Sequence, residues 1–216
     1  MKKILWKIEE YWEKYYQPGT LSDVDISGNY QDGVSKYHPR FFSVPLFDFS
    51  STEKSVFSDD CGEYTGLSKC QLLVGGKKPI YLFDNHNEIL YPFIELSDVT
   101  STKYDIVHID AHPDDAVFET EKPSELGLGD VADFIQKTRI SDFFDAVTEA
   151  DVIGNIHRVC DSTAFENFKK PQKPYILSLD IDIFGPEGDF VDLEARVHAI
   201  AQAWSRAEAV CIATSP

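Results

Sequence analysis

From residue 78 onward, short apolar runs alternate with amphipathic stretches. Residues 79–83, 104–109, 152–159, 175–181 and 209–213 read as strands, rich in β-branched and aromatic side chains. Between them, helical spacing begins at 88–95, recurs in two stretches within 127–148, and returns at 191–206, where Leu193, Val197, Ile200 and Trp204 fall on one stripe. Strands that alternate with helices predict an α/β fold: three layers, α/β/α, around a mostly parallel sheet covered on both faces.

Upstream the pattern is different. Residues 1–16 carry Ile4, Ile8, Tyr11 and Tyr15 at helical spacing, and Pro18-Gly19 ends the run. Residues 17–40 and 50–77 are rich in Gly, Ser, Asp and Lys, and predict long surface loops around a short apolar segment at 41–49. The 216 residues therefore read as a single domain, with residues 1–50 packed as a helix and loops on a core at 78–214.

The chemistry gathers at three predicted strand ends. Asn85-His86-Asn87-Glu88 follows the first, Asp110-Ala111-His112-Pro113-Asp114 the second, and Asp180-Ile181-Asp182 a later one. In a parallel α/β sheet, ligands bind outside the carboxyl ends of the strands. Alternate residues of an extended segment share a face, so Asp110 and His112 point the same way. Asp114 continues that alternation and competes with Asp115 for the third position; Pro113 keeps His112 extended. Asp180 and Asp182 repeat the arrangement, and two carboxylates so close repel each other unless a cation neutralises them. His86 supplies a sixth ligand. Mixed imidazole and carboxylate donors suit manganese, iron or zinc better than calcium, with manganese favoured. Four carboxylates balance two divalent cations, and such ions lower the pKa of water enough to provide a bridging hydroxide near neutral pH.

Composition narrows the partners. A net charge of −17 argues against nucleic acid and favours cationic ligands. No apolar run is long enough to span a membrane. The opening residues briefly resemble a signal peptide, but Lys7, Glu9 and Glu10 interrupt them, so a cytoplasmic protein is expected. Cys61, Cys70, Cys160 and Cys211 show no C-x-x-C spacing, and reduced thiols are expected.

The strand-end motifs resemble those of the arginase and ureohydrolase superfamily: a histidine after one strand, D-A-H-x-D after the next, and D-x-D after a later one. The resemblance covers roughly residues 79–214. More narrowly, Asn85–Leu90 together with His108–Asp114 is similar to an arginase-like family containing the peptide arginases. That resemblance implies an arginase-like fold and two Mn2+ ions. One ion would be held by His86, Asp110, Asp114 and Asp180, the other by Asp110, His112, Asp180 and Asp182, with Asp110 and Asp180 bridging. It implies hydrolysis of an arginine side chain in a ribosomally made precursor peptide, giving ornithine and urea by attack of the bridging hydroxide on the guanidinium carbon. Free-arginine enzymes place an aspartate where this chain has Asn85, and their asparagine after D-A-H-x-D has no counterpart in Ala116-Val117-Phe118. A peptide substrate is compatible with both departures.

Two further roles are open. Glu88, a short turn past His86, suits a forked hydrogen bond to the guanidinium, and equally suits the first turn of a helix. His157, near the end of the third strand of the core, could shuttle a proton, although a structural histidine is the reading favoured for a lone titratable group. His108 reads as a satisfied core residue, and Phe118, Glu119, Glu187 and Asp189 as lining of the mouth. The competing functions are action on a small free guanidine (arginine or agmatine), a one-zinc deacetylase-like amidohydrolase, and a catalytically silent metal-stabilised peptide-binding module. The deacetylase-like case calls for a tandem histidine pair, and the chain has none.

Overall fold

A computed structural model describes residues 42–47, 56–59, 62–65, 70–74, 78–119, 130–148 and 152–214. The helix expected at 1–16 and the loops at 17–40 lie outside these residues. Nine strands are described: β1 (Phe42–Phe47), β2 (Val56–Asp59), β3 (Gly62–Thr65), β4 (Cys70–Val74), β5 (Ile80–Phe83), β6 (Asp105–Ile109), β7 (Ile156–Val159), β8 (Tyr175–Asp180) and β9 (Ala209–Ala213). The helices are α1 (Leu90–Thr100), α2 (Val131–Ile135), α3 (Phe143–Thr148), α4 (Ser162–Glu166) and α5 (Leu193–Arg206).

Seven strands form one sheet in the order β1-β4-β5-β9-β8-β6-β7. The five from β5 to β7 run parallel, and β4 and β1 extend the β5 edge antiparallel. β2 and β3 pair separately as a hairpin. The sequence pattern assigns residues 50–77 to loops; the structure corrects this with β2, β3 and β4. Cys70-Gln71-Leu72-Leu73-Val74 is too short to stand out among its Gly and Lys neighbours. It becomes a strand because β5 offers an open edge, with Gln71 opposite Leu82 and Leu73 opposite Ile80.

Of the parallel strands, β5, β6, β8 and β9 are buried on both sides, so their sequences run largely apolar without alternation. Tyr81, Phe83, Ile106, Ile176 and Cys211 pack against Leu90, Phe93 and Ile94 of α1, Phe134 of α2, and Phe143 and Phe144 of α3. On the opposite face Val107, Ile109, Leu177, Leu179 and Val210 pack against Phe165 of α4 and Ala199 and Ala203 of α5. Two cores, one per face, make the three layers. Within α5 the stripe expected from the sequence is displaced: Leu193 and Val197 are exposed, and Arg196, Ala199 and Ala203 are buried. Small alanines let the helix approach the sheet, close enough for the Tyr175 hydroxyl to donate to the Ala203 carbonyl at 2.7 Å.

β6 has β7 on one flank and β8 on the other, and the chain leaves β6 for β7 before returning to β8. The connections diverge there, and in open parallel sheets ligands bind at the carboxyl ends beside such a point. Among the described residues no helix is long and apolar enough to cross a membrane.

Candidate metal centre

The carboxyl ends of β5, β6 and β8 collect the three motifs. A 3-10 turn, His86–Ile89, begins three residues after β5 and buries His86 completely. Asp110 follows β6 directly, and Asp180 is the last residue of β8. His86 Nδ1 lies 2.8 Å from Asp110 Oδ2, 3.0 Å from Asp114 Oδ2 and 3.3 Å from Asp180 Oδ2. Beside it, His112 Nδ1 lies 2.8 Å from Asp182 Oδ2 and 3.4 Å from Asp110 Oδ1. Asp110 thus turns one oxygen to each imidazole. Asp180 brings Oδ2 to the His86 side, while its Oδ1 accepts from the Asp182 amide at 3.1 Å.

Asp114, rather than Asp115, enters the cluster. Its backbone is left-handed, with φ of 46°. Aspartate tolerates that conformation better than most residues, and the reversal folds the carboxylate back under His86. Asp114 is buried and Asp115 is exposed.

Without a cation these groups are mutually strained. Burial, and then the charges of Asp110 and Asp180, push the Asp182 carboxyl up to about 7. Burial also raises Asp114, against the opposing pull of His86. Burial alone would lower His86, but hydrogen-bond-range contacts with Asp110, Asp114 and Asp180 hold its imidazole well above the ordinary histidine range. His112 is raised for a similar reason: Asp182, Asp110 and Glu187 outweigh its burial. The carboxylates that favour a proton on His86 would equally favour a cation.

Bond angles favour an ion over that proton. Three carboxylate oxygens surround His86 Nδ1 at 2.8–3.3 Å, yet neither this nitrogen nor Asp114 Oδ2 has a partner in line for a hydrogen bond. Distance alone is a weaker criterion than distance with direction, so the short contacts are read as convergence rather than as hydrogen bonds. Buried polar atoms are almost always satisfied, and a divalent ion would satisfy both of these. Buried His86, His108, Asp110 and Asp114 could hold a metal ion, and Asp110, His112 and Asp182 form an adjoining group. Because ligand nitrogens must be deprotonated to bind, apparent affinity for a divalent ion should fall as pH drops below the raised pKa of His86. Calorimetric titrations at several pH values measure this; an affinity independent of pH would contradict it.

His108 is the residue that sequence reasoning under-read. It is fully buried, with Nε2 at 3.5 Å from Asp110 Oδ2 and 3.8 Å from Asp114 Oδ2. Burial and the neighbouring charge of His86 push it down to about 3, so it is neutral. Its alternation with Asp110 and His112 is the signal that could have found it. Ser178 also belongs to this layer, with Oγ at 2.8 Å from His86 Nε2 and 3.2 Å from His108 Nδ1. Phe143 and Phe144 close the floor, their ring centroids 5.2 Å from His86 and 4.9 Å from His108 respectively.

His157 requires a correction. It pairs with Val107 in the register of β6 and β7, and its Nε2 lies 3.2 Å from Asp105 Oδ2 at the start of β6. The imidazole thus points toward the amino-terminal end of the strands, away from the carboxyl-end cluster, and serves as a structural partner. Substituting His157→Gln should leave metal content within about twofold, at a stability cost of about 1 kcal/mol or less. Inductively coupled plasma analysis and thermal unfolding check this. Glu88 is seated against Asn85, whose amide donates to Oε1 at 3.3 Å. Burial is the largest influence on Glu88 and, with the charge of Asp84, raises it to about 7 despite that amide. Phe118 is buried against Phe134 and does not line a mouth. Glu119 pairs with Arg139 at 2.7 Å, and Asp189 with Arg196 at 3.5 Å. Glu187 stays at the rim, 3.6 Å from His112 Nε2.

The loop carrying Asp182 is held from below. Arg196 Nη1 donates to the Ile183 carbonyl at 2.6 Å. A Cβ on Gly188 would fall 1.9 Å from that same oxygen and 2.9 Å from Arg196 Nη1. Gly188→Ala should therefore push the loop away from Arg196, costing about 1–3 kcal/mol and weakening metal binding at Asp182. Thermal unfolding with and without Mn2+ reads both effects; an unchanged variant would contradict the packing described.

No protein-family model, curated protein or solved structure matches the chain.

Proposed function

We propose that the chain is a binuclear metal-dependent ureohydrolase that converts arginine to ornithine and urea, with the arginine held in a ribosomally made precursor peptide in the cytoplasm. The observation that carries this reading is the convergence of His86, Asp110, His112, Asp114, Asp180 and Asp182, with Asp110 facing both imidazoles. The motif resemblance to the ureohydrolases and the choice of donors both favour manganese.

His86, Asp110, Asp114 and Asp180 would hold one Mn2+, and Asp110, His112, Asp180 and Asp182 the other. When bound, the ions neutralise the carboxylates and supply an activated water as nucleophile at neutral pH. The buried ligands fix their own positions through backbone contacts. The His112 amide donates to Asp110 Oδ1 at 2.6 Å, and the Ala111 amide to Asp182 Oδ1 at 3.3 Å. Such rigidity holds the reacting atoms in one geometry, which guanidinium hydrolysis needs because its carbon is a poor electrophile. Glu88 is the guanidinium-orienting carboxylate of this reading: an arriving cation favours its ionised form. Glu187 at the rim and the net charge of −17 draw in a cationic side chain.

Metal analysis of protein produced with added Mn2+ should give two equivalents per chain. A single zinc would point instead to a deacetylase-like amidohydrolase, and a metal-free protein would overturn the reading.

A further inference from the structure

We propose that His108 and Ser178 are positioning residues, forming a one-way hydrogen-bond chain from the His112 carbonyl that presents the bare Nδ1 of His86 to a divalent ion. This rests on the metal-centre reading above and adds the device that prepares it.

The direction follows from one oxygen. His108 Nε2 lies 3.2 Å from the His112 carbonyl. A carbonyl only accepts, so His108 Nε2 must carry the hydrogen. The His108 ring is fully buried and its Nδ1 faces a hydroxyl, so this nitrogen keeps the ring's lone pair and accepts from the Ser178 hydroxyl 3.2 Å away. With its only hydrogen used, Ser178 Oγ accepts from His86 Nε2 at 2.8 Å. A neutral His86 with its hydrogen on Nε2 has a lone pair on Nδ1, facing the three carboxylate oxygens.

The reverse direction fails at both ends. It would set the lone pair of His108 Nε2 against the lone pairs of the His112 carbonyl. It would also place a hydrogen on His86 Nδ1, where no carboxylate oxygen lies in line to accept it. The same argument separates His108 from the ligands it sits among: its Nε2 is occupied by the carbonyl. The carbonyl belongs to the residue whose ring faces Asp182, so the strand end that supplies a ligand to one ion also sets the tautomer of a ligand to the other. Partners that fix a ligating histidine in this way usually change metal affinity by 10–100-fold when removed.

Long-range proton–nitrogen NMR on the full chain, metal-free and loaded with diamagnetic Zn2+, reads the tautomers. The expected result is neutral His108 with its hydrogen on Nε2 in both samples, and Zn2+-bound His86 with its hydrogen on Nε2. A hydrogen on His108 Nδ1, or His86 bound to Zn2+ through Nε2, overturns the chain even if two ions bind. Metal binding absent from a protein whose His108 carries hydrogen on Nε2 would overturn the metal reading and leave the chain standing. In Mn2+ titrations, Ser178→Ala should bind one ion 10–100-fold more weakly with the second less affected, and Ser178→Thr should recover most of the loss. Equal affinity in folded Ser178→Ala would overturn the proposal.

Discussion

Asp110→Ala should lose both ions and all measurable turnover. Asp110 is the residue that reaches both imidazoles, Oδ2 toward His86 and Oδ1 toward His112. Its removal opens both sites at once, whereas loss of a ligand to one side leaves the other largely formed. Without bound ions the nucleophile reverts to ordinary water, whose pKa is far above neutrality, and the rate should fall by about 10⁴-fold or more. The matched control is Asp115→Ala. Asp115 follows Asp114 in sequence but points to solvent, so that variant should keep its ions and its rate within about twofold. Metal content after dialysis and urea release, measured on both variants, check the pair. Two tightly held ions in Asp110→Ala would contradict the shared-ligand geometry.

Asp182→Asn should show the opposite sign in stability and in function. In the metal-free protein, burial and the charges of Asp110 and Asp180 oppose ionisation and push the folded Asp182 carboxyl up to about 7, well above the ordinary aspartate range. A raised folded value means that the protonated side chain contributes stability below about pH 4. That contribution is lost as pH rises through about 7. At pH 8 the ionised carboxylate costs on the order of a few kcal/mol, and asparagine removes the charge while its oxygen can still accept from the Ala111 amide. In chelator, Asp182→Asn should therefore unfold close to the wild-type temperature at pH 4.5 and about 5 °C above it at pH 8. His108 titrates the other way, its contribution being lost as pH falls from 6.5 toward about 3. It is common to both proteins and cancels in their difference. Added Mn2+ should reverse the ranking at pH 8, since only the wild type keeps the full ligand set. A difference that does not change with pH would contradict the crowded-carboxylate picture. Active sites commonly hold such unfavourable groupings at a cost to stability.

How much of this is legible in the sequence depends on how local the cause is. The buried parallel strands announce themselves as apolar runs, and residues 209–213 match β9. β4 does not, because its strand character comes from the edge of β5 rather than from its own five residues. The α5 stripe misleads because large apolar residues are the usual sign of a buried face, while this helix approaches the sheet on Ala199 and Ala203. The convergence of His86, Asp110, His112, Asp114, Asp180 and Asp182 is legible because each follows a strand whose carboxyl end is a binding position, and because alternation carries Asp110 and His112 to one side. Alternation also chooses Asp114 over Asp115, although the left-handed turn that brings it in is visible only in the structure. His157 was open to two readings because its partner, Asp105, is set by the parallel register of β6 and β7, a long-range property. His108 and Ser178 needed the same information: they lie 70 residues apart and become neighbours only when β6 and β8 pair.

The central claim is tested most directly by incubating the Mn2+-loaded protein separately with an arginine-containing peptide and with free arginine. Urea release and the mass of the peptide would be followed together. Urea formed with the peptide, matched by conversion of its arginine to ornithine, is the predicted result. Urea from free arginine alone would make the chain an ordinary ureohydrolase, and silence on both substrates with two Mn2+ ions bound would contradict the proposed activity.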